Sequence, residues 1–253
     1  MKFSGKRVFV TGAATGIGRA TAEYLFSEGA KVLGAGLDGD EGRAWSGDYA
    51  GKALVFRETD LTHEADVQAA VADAVARFGG LDAVVNCAGI YPTGKRLEEV
   101  SDAEWDKTIA VNLTAIFRVC RATLPLLRQA GGGSIVNIAS VHADATVPMV
   151  PAYAASKAAV VGLSRQMALD YAVDRIRVNA VLVGSVATRM TLDGLEEAGG
   201  AEALGLSFDD NRIARIANPH EIATAIGFLI SSEASFVTGS AMQVDGGMLA
   251  RLL

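Results

Sequence analysis

The chain has 253 residues, half of them hydrophobic and 21% charged, and its formal net charge is −6 at pH 7. This length suits one large α/β domain, and the apolar content is enough for a buried core, which excludes an intrinsically disordered chain. The basic residues form no cluster, so the phosphate contacts that dominate nucleic-acid binding are not expected. We therefore predict a single folded domain over 1–253 without a nucleic-acid partner.

The hydrophobic segments and the two cysteines indicate the cellular compartment of the protein. The first apolar run is too short for a signal peptide, and no window approaches the ~20 apolar residues of a membrane span. The two cysteines, Cys87 and Cys120, lie in an apolar strand pattern and an apolar helix pattern. Such positions favour buried thiols over a disulfide or a nucleophile. We therefore predict a cytoplasmic protein with no membrane partner.

Short apolar runs alternate with stretches of helical period along the chain. The predicted strands are RVFVT, KVLGA, ALVFRE, LDAVVN, SIVNIA, IRVNAVL and AMQVD, and the predicted helices span 19–28, 63–77, 102–129, 152–172 and 219–230. Strands that are apolar on both faces and separated by helices indicate a parallel sheet covered on both sides. The predicted fold is three-layered, doubly wound α/β with a seven-stranded parallel sheet.

Several residues mark helix boundaries. Ser101 with Glu104 forms a capping-box pattern, and Asn218 before Pro219 has the pattern of an N-cap followed by the first helical residue. Pro125 should bend the helix over 102–129 near its end. The one long irregular stretch, at about 184–217, has the glycine and acidic composition of a mobile lid over a substrate.

A glycine-rich turn follows the first strand directly. Glycines in this place allow a pyrophosphate to approach the backbone closely, and the helix that follows offers free N–H groups to the anion. The alternative is a tight turn with no ligand, since glycine patterns alone are weakly specific. The predicted phosphate-binding residues are Gly12, Thr15, Gly16, Ile17 and Gly18.

The ends of the second and third strands would face the adenosine of a dinucleotide. Asp38 lies about 20 residues past the glycines, where a carboxylate accepts from a ribose 2′-OH and repels a 2′-phosphate. It could instead simply open the next turn. Asp60, at the end of the third strand, either binds the adenine amino group or marks the start of a helix.

Three polar side chains near the fifth strand form a catalytic pattern. Ser140 follows the strand at the carboxyl edge, where open α/β sheets bind ligands. Tyr153 and Lys157 are four residues apart and therefore share one helix face. A neighbouring ammonium and an oxidised nicotinamide would lower the pKa of the tyrosine toward working pH, which makes Tyr153 a plausible acid–base.

The motifs TGAATGIG (11–18), NCAG (86–89), Asn112, Ser140 and YAASK (153–157) together resemble the short-chain dehydrogenase/reductase family, and the resemblance spans nearly the whole chain. It implies a Rossmann fold with seven strands and NAD(P)-dependent hydride transfer to or from a secondary alcohol or ketone. A non-catalytic nucleotide sensor on the same scaffold is the alternative from another class, but it would not need the serine, tyrosine and lysine together.

The resemblance also implies roles for individual residues. Tyr153 would exchange the substrate proton, Lys157 would lower its pKa and hold the nicotinamide ribose, and Ser140 would bind the substrate oxygen. Asn112 would position a water in the proton relay. The remaining implied cofactor contacts are Leu61 beside Asp60, then Asn86, Ala88 and Gly89 at the ribose, and Gly184, Val186 and Thr188 at the nicotinamide and phosphate side.

Cofactor preference depends on a departure from the family pattern. Gly36 stands where NAD-dependent members commonly have Asp, but neither Thr15 nor Leu37 is replaced by the arginine that often binds a 2′-phosphate. NAD is therefore predicted over NADP. Were NADP the cofactor, Arg19 or Arg43 would be its expected partner.

The substrate region contains one distinctive polar residue, His142, which would bind a substrate hydroxyl, act as a second proton shuttle or simply pack the loop. Lys95 and Arg96 would suit a carboxylate but are more typical of solvated residues. Few aromatic residues lie nearby. We therefore predict a small-molecule substrate of the sugar, polyol or hydroxy-acid class rather than a steroid, and no metal site.

Two further expectations concern partners. A 3-oxoacyl carrier-protein reductase using NADPH shares the motifs, and Arg128, Arg175 and Arg177 could then dock an acidic carrier. The helices over 102–129 and 152–172 predict a homotetramer, because Ile116, Val119, Leu163 and Met167 exceed what one sheet face covers. The alternative is that all four pack on the sheet.

Overall fold

The computed structural model describes residues 1–49, 51–197 and 199–250. Seven strands form one parallel sheet, which confirms the predicted number and direction. The strands are β1 (Arg7–Thr11), β2 (Lys31–Gly36), β3 (Leu54–Glu58), β4 (Ala83–Asn86), β5 (Gly133–Ile138), β6 (Ile176–Val183) and β7 (Ala241–Val244).

The order of strands in the sheet is β3-β2-β1-β4-β5-β6-β7. The chain therefore moves outward from β1 in one direction and then returns to continue from β4 in the other. Ligands of open parallel sheets bind at such a reversal, at the carboxyl ends of the strands. The carboxyl ends of β1 and β4 are Thr11 and Asn86, which are paired in register.

Helices cover both faces of the sheet. The helices are α1 (Gly16–Ser27), α2 (Gly39–Gly47), α3 (Glu64–Phe78), α4 (Asp102–Ile109), α5 (Ala115–Gln129), α6 (Pro151–Asp170), α7 (Arg189–Glu197) and α8 (Pro219–Ile230). One apolar core joins the sheet to α3, α5 and α6, and the other joins it to α1, α2 and α8. Two cores around one sheet confirm the three-layer, doubly wound Rossmann architecture.

Two helices depart from the sequence prediction. The first helix begins at Gly16 rather than at 19, so its first turn lies inside the glycine motif. A helix between the second and third strands was not predicted, because α2 is short and contains three glycines. Its buried residue Trp45, packed in the core on the α1 side, accounts for its attachment to the sheet.

The predicted long helix over 102–129 is interrupted. A π-helical turn, Ala110–Thr114, separates α4 from α5, and the buried Asn112 lies within it. Pro125 lies inside α5, but the interruption occurs well before it. Single π turns within helices are frequent at functional sites. The capping boxes at Ser101 and Asn218 are confirmed, and Pro219 is the first residue of α8.

The segment at 184–217 is less irregular than predicted. It contains α7 and a 3-10 turn, Glu202–Leu204, and a parallel bridge between Val186 and Ala217 joins its two ends. The glycines that suggested an irregular stretch, Gly199 and Gly200, follow α7 with positive φ angles. Glycine there permits the chain to turn away from the helix.

Two predictions about the apolar helices differ from the structure. The helical run Asp102–Gln129 is long and apolar enough, by length and composition, to cross a membrane, which differs from the expectation that no window would qualify. Ile116 and Val119 of this run and Met167 of α6 are buried in the core, and Leu163 packs against it. These four residues therefore pack on the sheet and do not support the predicted subunit contact.

Candidate active site

The glycine turn after β1 approaches the β4 strand end without space for side chains. Gly12 has a φ of 63°, and a Cβ there would lie 2.9 Å from the backbone of Ala88. A Cβ at Gly18 would lie 2.1 Å from the carbonyl oxygen of Gly12. Thr11 stabilises the close approach of the glycine turn to the β4 end, because its hydroxyl accepts hydrogen bonds from the N–H groups of Cys87 and Ala88. Glycine is therefore required for this geometry.

The turn opens directly onto the first turn of α1. The backbone N–H of Arg19 donates to the carbonyl of Thr15 at 3.1 Å, so the N–H groups of Gly16, Ile17 and Gly18 precede the first helical hydrogen bond. Thr188 lies above this turn, with its Cγ2 3.0 Å from the position of a Cβ on Gly16. Helix N–H groups beside a glycine cradle form an anion-binding arrangement.

Beyond β6, two further predicted contacts lie on the same segment as Thr188. Gly184 packs so closely against Asp245 that a Cβ there would approach its Cα to 2.9 Å. Val186 is buried in the core beneath the bridge to Ala217. These contacts hold the segment leading to Thr188 over the phosphate turn.

The adenosine end has several acidic groups and no free arginine among the described residues. Asp38 precedes α2, is exposed, and makes no side-chain hydrogen bond to cap the helix. Arg43 is bound by Glu58 and by Asp40 at 2.7 Å. Arg19 is bound by Glu23 at 3.1 Å. Both arginines proposed as partners of a 2′-phosphate are thus already paired with carboxylates.

Gly36 itself does not exclude a larger residue. A Cβ there would meet only Gly12 and Ala13, at 3.7 Å or more, which is ordinary van der Waals contact. The missing carboxylate is therefore not a steric requirement of the fold. Asp38 is two residues further on and is the acidic residue nearest in sequence to that position.

The carboxylate of Asp60 forms its contacts with residues of its own turn. Its Oδ1 accepts from the backbone N–H of Thr62 at 2.8 Å and from the Thr62 hydroxyl at 2.6 Å, and its Oδ2 lies 2.9 Å from Nδ1 of His63. These contacts lower the pKa of the carboxyl against the effect of its partial burial. The Asp60 carboxylate thus closes a turn before α3, whose N-cap residue is His63, and the proposed contact of Asp60 with adenine stays a prediction. The neighbouring Leu61 is buried in the core.

The four predicted catalytic residues come together at the carboxyl edge of the sheet. Ser140 follows β5 and is buried, with its Oγ accepting from the N–H of His142 at 3.3 Å. Tyr153 and Lys157 lie one turn apart on α6, which begins at Pro151. The Lys157 ammonium lies 5.6 Å from the centre of the Tyr153 ring and donates to the carbonyl of Ile138 at 2.9 Å.

Burial moves the acid–base groups toward their neutral forms. It raises the pKa of the Tyr153 hydroxyl to about 12, against a hydrogen bond with Ser140 that lowers it. Burial also lowers the pKa of Lys157 to about 8. The predicted lowering of the tyrosine pKa by the ammonium and an oxidised nicotinamide together stays a prediction. Desolvation disfavours each charged form, and for the tyrosine it outweighs the hydrogen bond with Ser140.

Asn112 connects the π turn to the loop after β4 and to α6. Its Oδ1 accepts from the N–H of Ile90 at 2.8 Å, and its Nδ2 donates to the carbonyl of Ile90 and to the Ser156 hydroxyl, both at 3.0 Å. A Cβ on Gly89 would lie 3.3 Å from Asn112 Oδ1 and 3.5 Å from Lys157 Nζ. Asn112 and Lys157 therefore both approach the same short loop.

A second buried amide lies beneath this loop. Nδ2 of Asn86 donates to Oδ1 of Asn137 at 2.8 Å, and Asn137 donates in turn to the Ser164 hydroxyl at 2.9 Å. Cys87 and Cys120 are both free, and burial raises the pKa of each thiol to about 12. Neither cysteine forms a disulfide; Cys120 is buried as predicted, whereas Cys87 is partly exposed.

Two aromatic rings pack against the ring of Tyr153. The ring of Tyr91 lies edge-on to Tyr153 with centroids 4.6 Å apart, and that of His142 is edge-on at 5.4 Å. Nδ1 of His142 is 3.0 Å from the Thr146 hydroxyl, and burial lowers the histidine pKa. The sequence resemblance places the loop 90–94 at the substrate wall, but Tyr91 was not singled out within it, because the loop has no periodic pattern.

The charged residues considered for an acidic substrate or carrier are mostly paired. Lys95 forms an ion pair with Glu104. Arg128 is bound to Asp174 at 2.6 Å. Arg177 donates to the carbonyls of Ser231 and Val237. The proposed docking patch of Arg128, Arg175 and Arg177 is therefore not a set of free arginines.

The residues present fit a dinucleotide. The close contacts of Gly12 with Ala88 and of Gly18 with Gly12 keep side chains out of the turn after β1, and the first N–H groups of α1 precede the first helical hydrogen bond. Lys157 uses a single described hydrogen bond, so two of its N–H groups are available for ribose hydroxyls. Because neither arginine near the adenosine end is free, nothing described there selects for a 2′-phosphate.

Comparison with known proteins extends these observations over the full chain. A family model described as Enoyl-(Acyl carrier protein) reductase matches residues 12–249. The 2,5-dichloro-2,5-cyclohexadiene-1,4-diol dehydrogenase of Sphingobium indicum is 42% identical over 248 residues, which are 98% of each chain. The 3-alpha-(or 20-beta)-hydroxysteroid dehydrogenase of Mycobacterium bovis is 38% identical over 98% of this chain and 91% of its own.

A solved structure is equally similar throughout. The ligand-free aldohexose dehydrogenase of Thermoplasma acidophilum superposes with a TM-score of 0.85 at 34% identity, covering 99% of this chain and 96% of its own. The similarity therefore includes both the sheet and the segments that surround the site. Because sequence and structure agree over the full length, the chain belongs to the short-chain dehydrogenase/reductase family of NAD(P)-dependent oxidoreductases.

Proposed function

We propose that this protein oxidises a secondary alcohol, or reduces the corresponding ketone, on a small ring-shaped polyol or sugar, with Tyr153 as the acid–base and NAD as the hydride carrier. The observation that carries the proposal is the meeting of Ser140, Tyr153 and Lys157 beside a phosphate-binding turn at the carboxyl edge of the sheet. When bound, the oxidised nicotinamide would accept the hydride.

Proton exchange is assigned to the tyrosine. The substrate hydroxyl would bind the Tyr153 oxygen and Ser140 together, and its proton would pass to the phenolate as the hydride leaves the same carbon. The hydrogen bond with Ser140 lowers the tyrosine pKa and so favours the phenolate needed for oxidation. In the direction of reduction, the neutral hydroxyl that burial favours donates its proton to the ketone oxygen.

Lys157 and Asn112 would support this exchange without contacting the substrate. A protonated Lys157 would favour the phenolate by charge, and its free N–H groups would hold the nicotinamide ribose. Asn112 holds the loop at Ile90 and would position a water between that loop and Lys157. Asn86, Ala88 and Gly89 are assigned to the ribose wall, with Gly184, Val186 and Thr188 on the nicotinamide and phosphate side.

The preference for NAD is supported by charge at the adenosine end. Asp38 is exposed and without a side-chain hydrogen bond in the described part of the chain, so its carboxylate is available to ribose hydroxyls. Arg19 and Arg43 are already paired with carboxylates. A 2′-phosphate would meet repulsion there without a free guanidinium to compensate.

The substrate class follows from the groups around Tyr153. The rings of Tyr91 and His142 lie nearly perpendicular to that of Tyr153, and the half-buried His142 offers a polar nitrogen. Such walls suit a compact ring that carries more than one hydroxyl. A hydroxy acid is less well supported, because Lys95 is paired with Glu104. The diol and aldohexose named for the two relatives are consistent with this choice.

A homotetramer in the cytoplasm remains part of the proposal, on different residues from those first expected. The exposed face of α6 carries Ala155, Ala158, Gly162 and Leu169, and the last is 75% exposed. On α5, Phe117 is 47% exposed and Nη1 of Arg118 is buried without a hydrogen-bond partner in the described chain. Packing of these helices between subunits would cover the apolar residues. The buried thiols suit a reducing compartment.

The domain assignment is likewise proposed. We infer one Rossmann-type domain over 1–253, with the segment at 184–217 as a substrate lid whose base is the bridge between Val186 and Ala217. Exposed apolar residues on this segment, Met190, Leu192 and Phe208, would face the bound substrate when the lid closes.

The test is an activity panel that follows nicotinamide absorbance with NAD and with NADP. Cyclic diols, sugars, linear polyols, hydroxy acids and 3-oxoacyl thioesters are compared by kcat/KM. Highest activity on cyclic diols or sugars with NAD supports the proposal. A preference for 3-oxoacyl thioesters with NADPH would replace it with the carrier-protein reductase alternative.

A further inference from the structure

A second pocket lies at the opposite edge of the sheet from the active site. It has a volume of about 540 Å³ and is formed where β1, β4, β5 and β6 begin and where α8 ends. Since β5 separates Ser134 from Ser140 by six residues, the two edges are about 20 Å apart. The residues that matter for its chemistry are Lys6, Asp82, Arg175, Arg177 and the serines Ser4, Ser232 and Ser235.

The pocket is positively charged in a chain whose net charge is −6. Three cationic side chains line it, Lys6, Arg175 and Arg177, against one carboxylate, Asp82. That carboxylate is already bound by Arg7, through Nε at 2.8 Å and Nη2 at 2.7 Å. Asp82 therefore neutralises Arg7 and leaves a cationic excess in the pocket.

Two of the cations are half-buried and have no anionic partner. Lys6 makes no side-chain hydrogen bond or ion pair with any residue that the structure describes. Arg177 donates only to the neutral carbonyls of Ser231 and Val237, at 3.0 and 3.2 Å. Burial lowers the pKa of both, and for Lys6 the effects of burial and of Arg177 outweigh the attraction of Asp82, which raises the pKa. Partly desolvated like charges are costly where the single carboxylate, Asp82, is shared with Arg7, and an anion between them would reduce that cost.

Hydroxyl donors complete the lining. Ser4 lies before β1, and Ser232 and Ser235 follow α8, so the donors come from two separate segments. None of these three hydroxyls has a hydrogen-bond partner within the described residues. Arginine, lysine and hydroxyl donors around a compact space form the donor set typical of phosphate recognition.

We propose that this pocket binds a phosphate group, as the free ion or as a small phosphate ester, between Lys6, Arg175 and Arg177. The site is separate from the phosphate turn at Gly12–Gly18, because the two lie at opposite edges of the sheet. Binding would connect the start of β1 to the start of β6 and the end of α8. The inference does not depend on the proposed substrate or on the catalytic roles.

The test is calorimetric titration of the full chain with inorganic phosphate and with phenyl phosphate. Saturating NAD is present to fill the cofactor site, and chloride holds the ionic strength constant. We expect saturable binding at one site per chain. Similar affinity for phenyl phosphate identifies an ester site, whereas binding of inorganic phosphate alone identifies a site for the free ion.

Substitutions of the pocket residues test where phosphate binds. Lys6→Gln and Arg175→Gln should each weaken it about tenfold through loss of a charge-assisted hydrogen bond. Lys52→Gln removes the same charge near the edge strand β3 and should leave the affinity unchanged. Alcohol oxidation by Lys6→Gln should equal that of the wild type. The proposal is overturned if NAD abolishes phosphate binding, if no saturable binding occurs, or if Lys6→Gln and Arg175→Gln bind as tightly as the wild type.

Discussion

Individual side chains around Tyr153 set the protonation states of the site. Burial drives the tyrosine and Lys157 toward neutral forms, and only Ser140 lowers the tyrosine pKa in the cofactor-free protein. With a pKa of about 8, Lys157 remains largely protonated at pH 7, and the positive charge of a bound oxidised cofactor would favour the phenolate further. Three predictions at this scale follow from particular groups.

Tyr153→Phe removes one proton-exchanging hydroxyl and almost no packing volume. We expect kcat to fall by roughly 10²- to 10⁴-fold, the usual contribution of general acid–base catalysis. Cofactor affinity, measured by fluorescence titration, should remain close to that of the wild type. Tyr171→Phe, at the far end of α6, is the matched control and should keep full activity. Retention of a tenth of wild-type turnover by Tyr153→Phe would remove this residue as the acid–base.

The depressed pKa of Lys157 predicts a pH dependence of stability. The folded group titrates near 8 and the unfolded one near 10.5, so between these values the unfolded chain binds more protons. The free energy of unfolding should then rise with pH across that window, by an amount of the order of 3 kcal/mol. Urea denaturation of cofactor-free wild type and Lys157→Met measures it. The difference, wild type minus variant, should increase from pH 8 to 10.5, and a flat difference would contradict the buried ammonium.

Asp38 tests the cofactor preference. If its carboxylate binds ribose hydroxyls, the ratio of kcat/KM for NAD over NADP should be roughly tenfold to a hundredfold. Asp38→Asn should narrow the ratio, and addition of Leu37→Arg should favour NADP. Asp48→Asn, at the other end of α2, should leave it unchanged. Equal ratios for the wild type and Asp38→Asn would show that Asp38 does not contact the ribose.

At the scale of elements, the π turn between α4 and α5 is the feature that connects the fold to the site. It aims Asn112 at both backbone groups of Ile90 and at Ser156 on α6. A regular helix through 110–114 would change the register of this side chain relative to the sheet. The interruption therefore positions the loop after β4 beside Lys157.

Asn112→Ala should lower stability by about 2 to 4 kcal/mol, because it leaves the backbone groups of Ile90 without partners. It should also lower kcat and speed hydrogen exchange at the Ile90 amide. Asn179→Ala, which removes a comparably buried amide from β6, serves as the control. That variant should lose stability without faster exchange at Ile90. Wild-type kcat in Asn112→Ala would show that the π turn has no role in positioning.

For the whole molecule, the outer faces of α5 and α6 carry exposed apolar residues. The guanidinium of Arg121 lies 4.6 Å from the centre of the Phe117 ring. Leu169 on α6 and Val173 just beyond it are largely exposed. The neighbouring groove between α3 and α5 has a volume of about 700 Å³. Association through these helices would bury both features at once.

We expect the wild type to form a tetramer of 26.2 kDa chains in light scattering. Gly162 on α6 has open space around its Cβ position, so Gly162→Leu fits the single chain but would separate helices packed between subunits. This variant should remain folded and show a reduced mass. Gly194→Leu on α7 also has open space and should remain tetrameric. A monomeric wild type at micromolar concentration would reject the assembly.

Local patterns were sufficient for much of the fold and for the identity of the catalytic residues. The seven strands were predicted because apolar runs bounded by turn residues are short-range signals, and the spacing of Tyr153 and Lys157 already places both on one helix face. The glycines at 12, 16 and 18 were recognised by their place between a strand and a helix. Each of these inferences depends on neighbours within a few residues along the chain.

Only the tertiary structure decided matters that depend on contacts between distant segments. Ile116 and Met167 proved to be core residues, because burial depends on which sheet face a helix covers. The pairing of Arg43 with Glu58, the approach of Tyr91 to Tyr153 and the cationic pocket at the amino edge each join residues from separate elements. The raised tyrosine pKa has the same origin, since desolvation is set by all the segments packed around the group and not by its sequence neighbours.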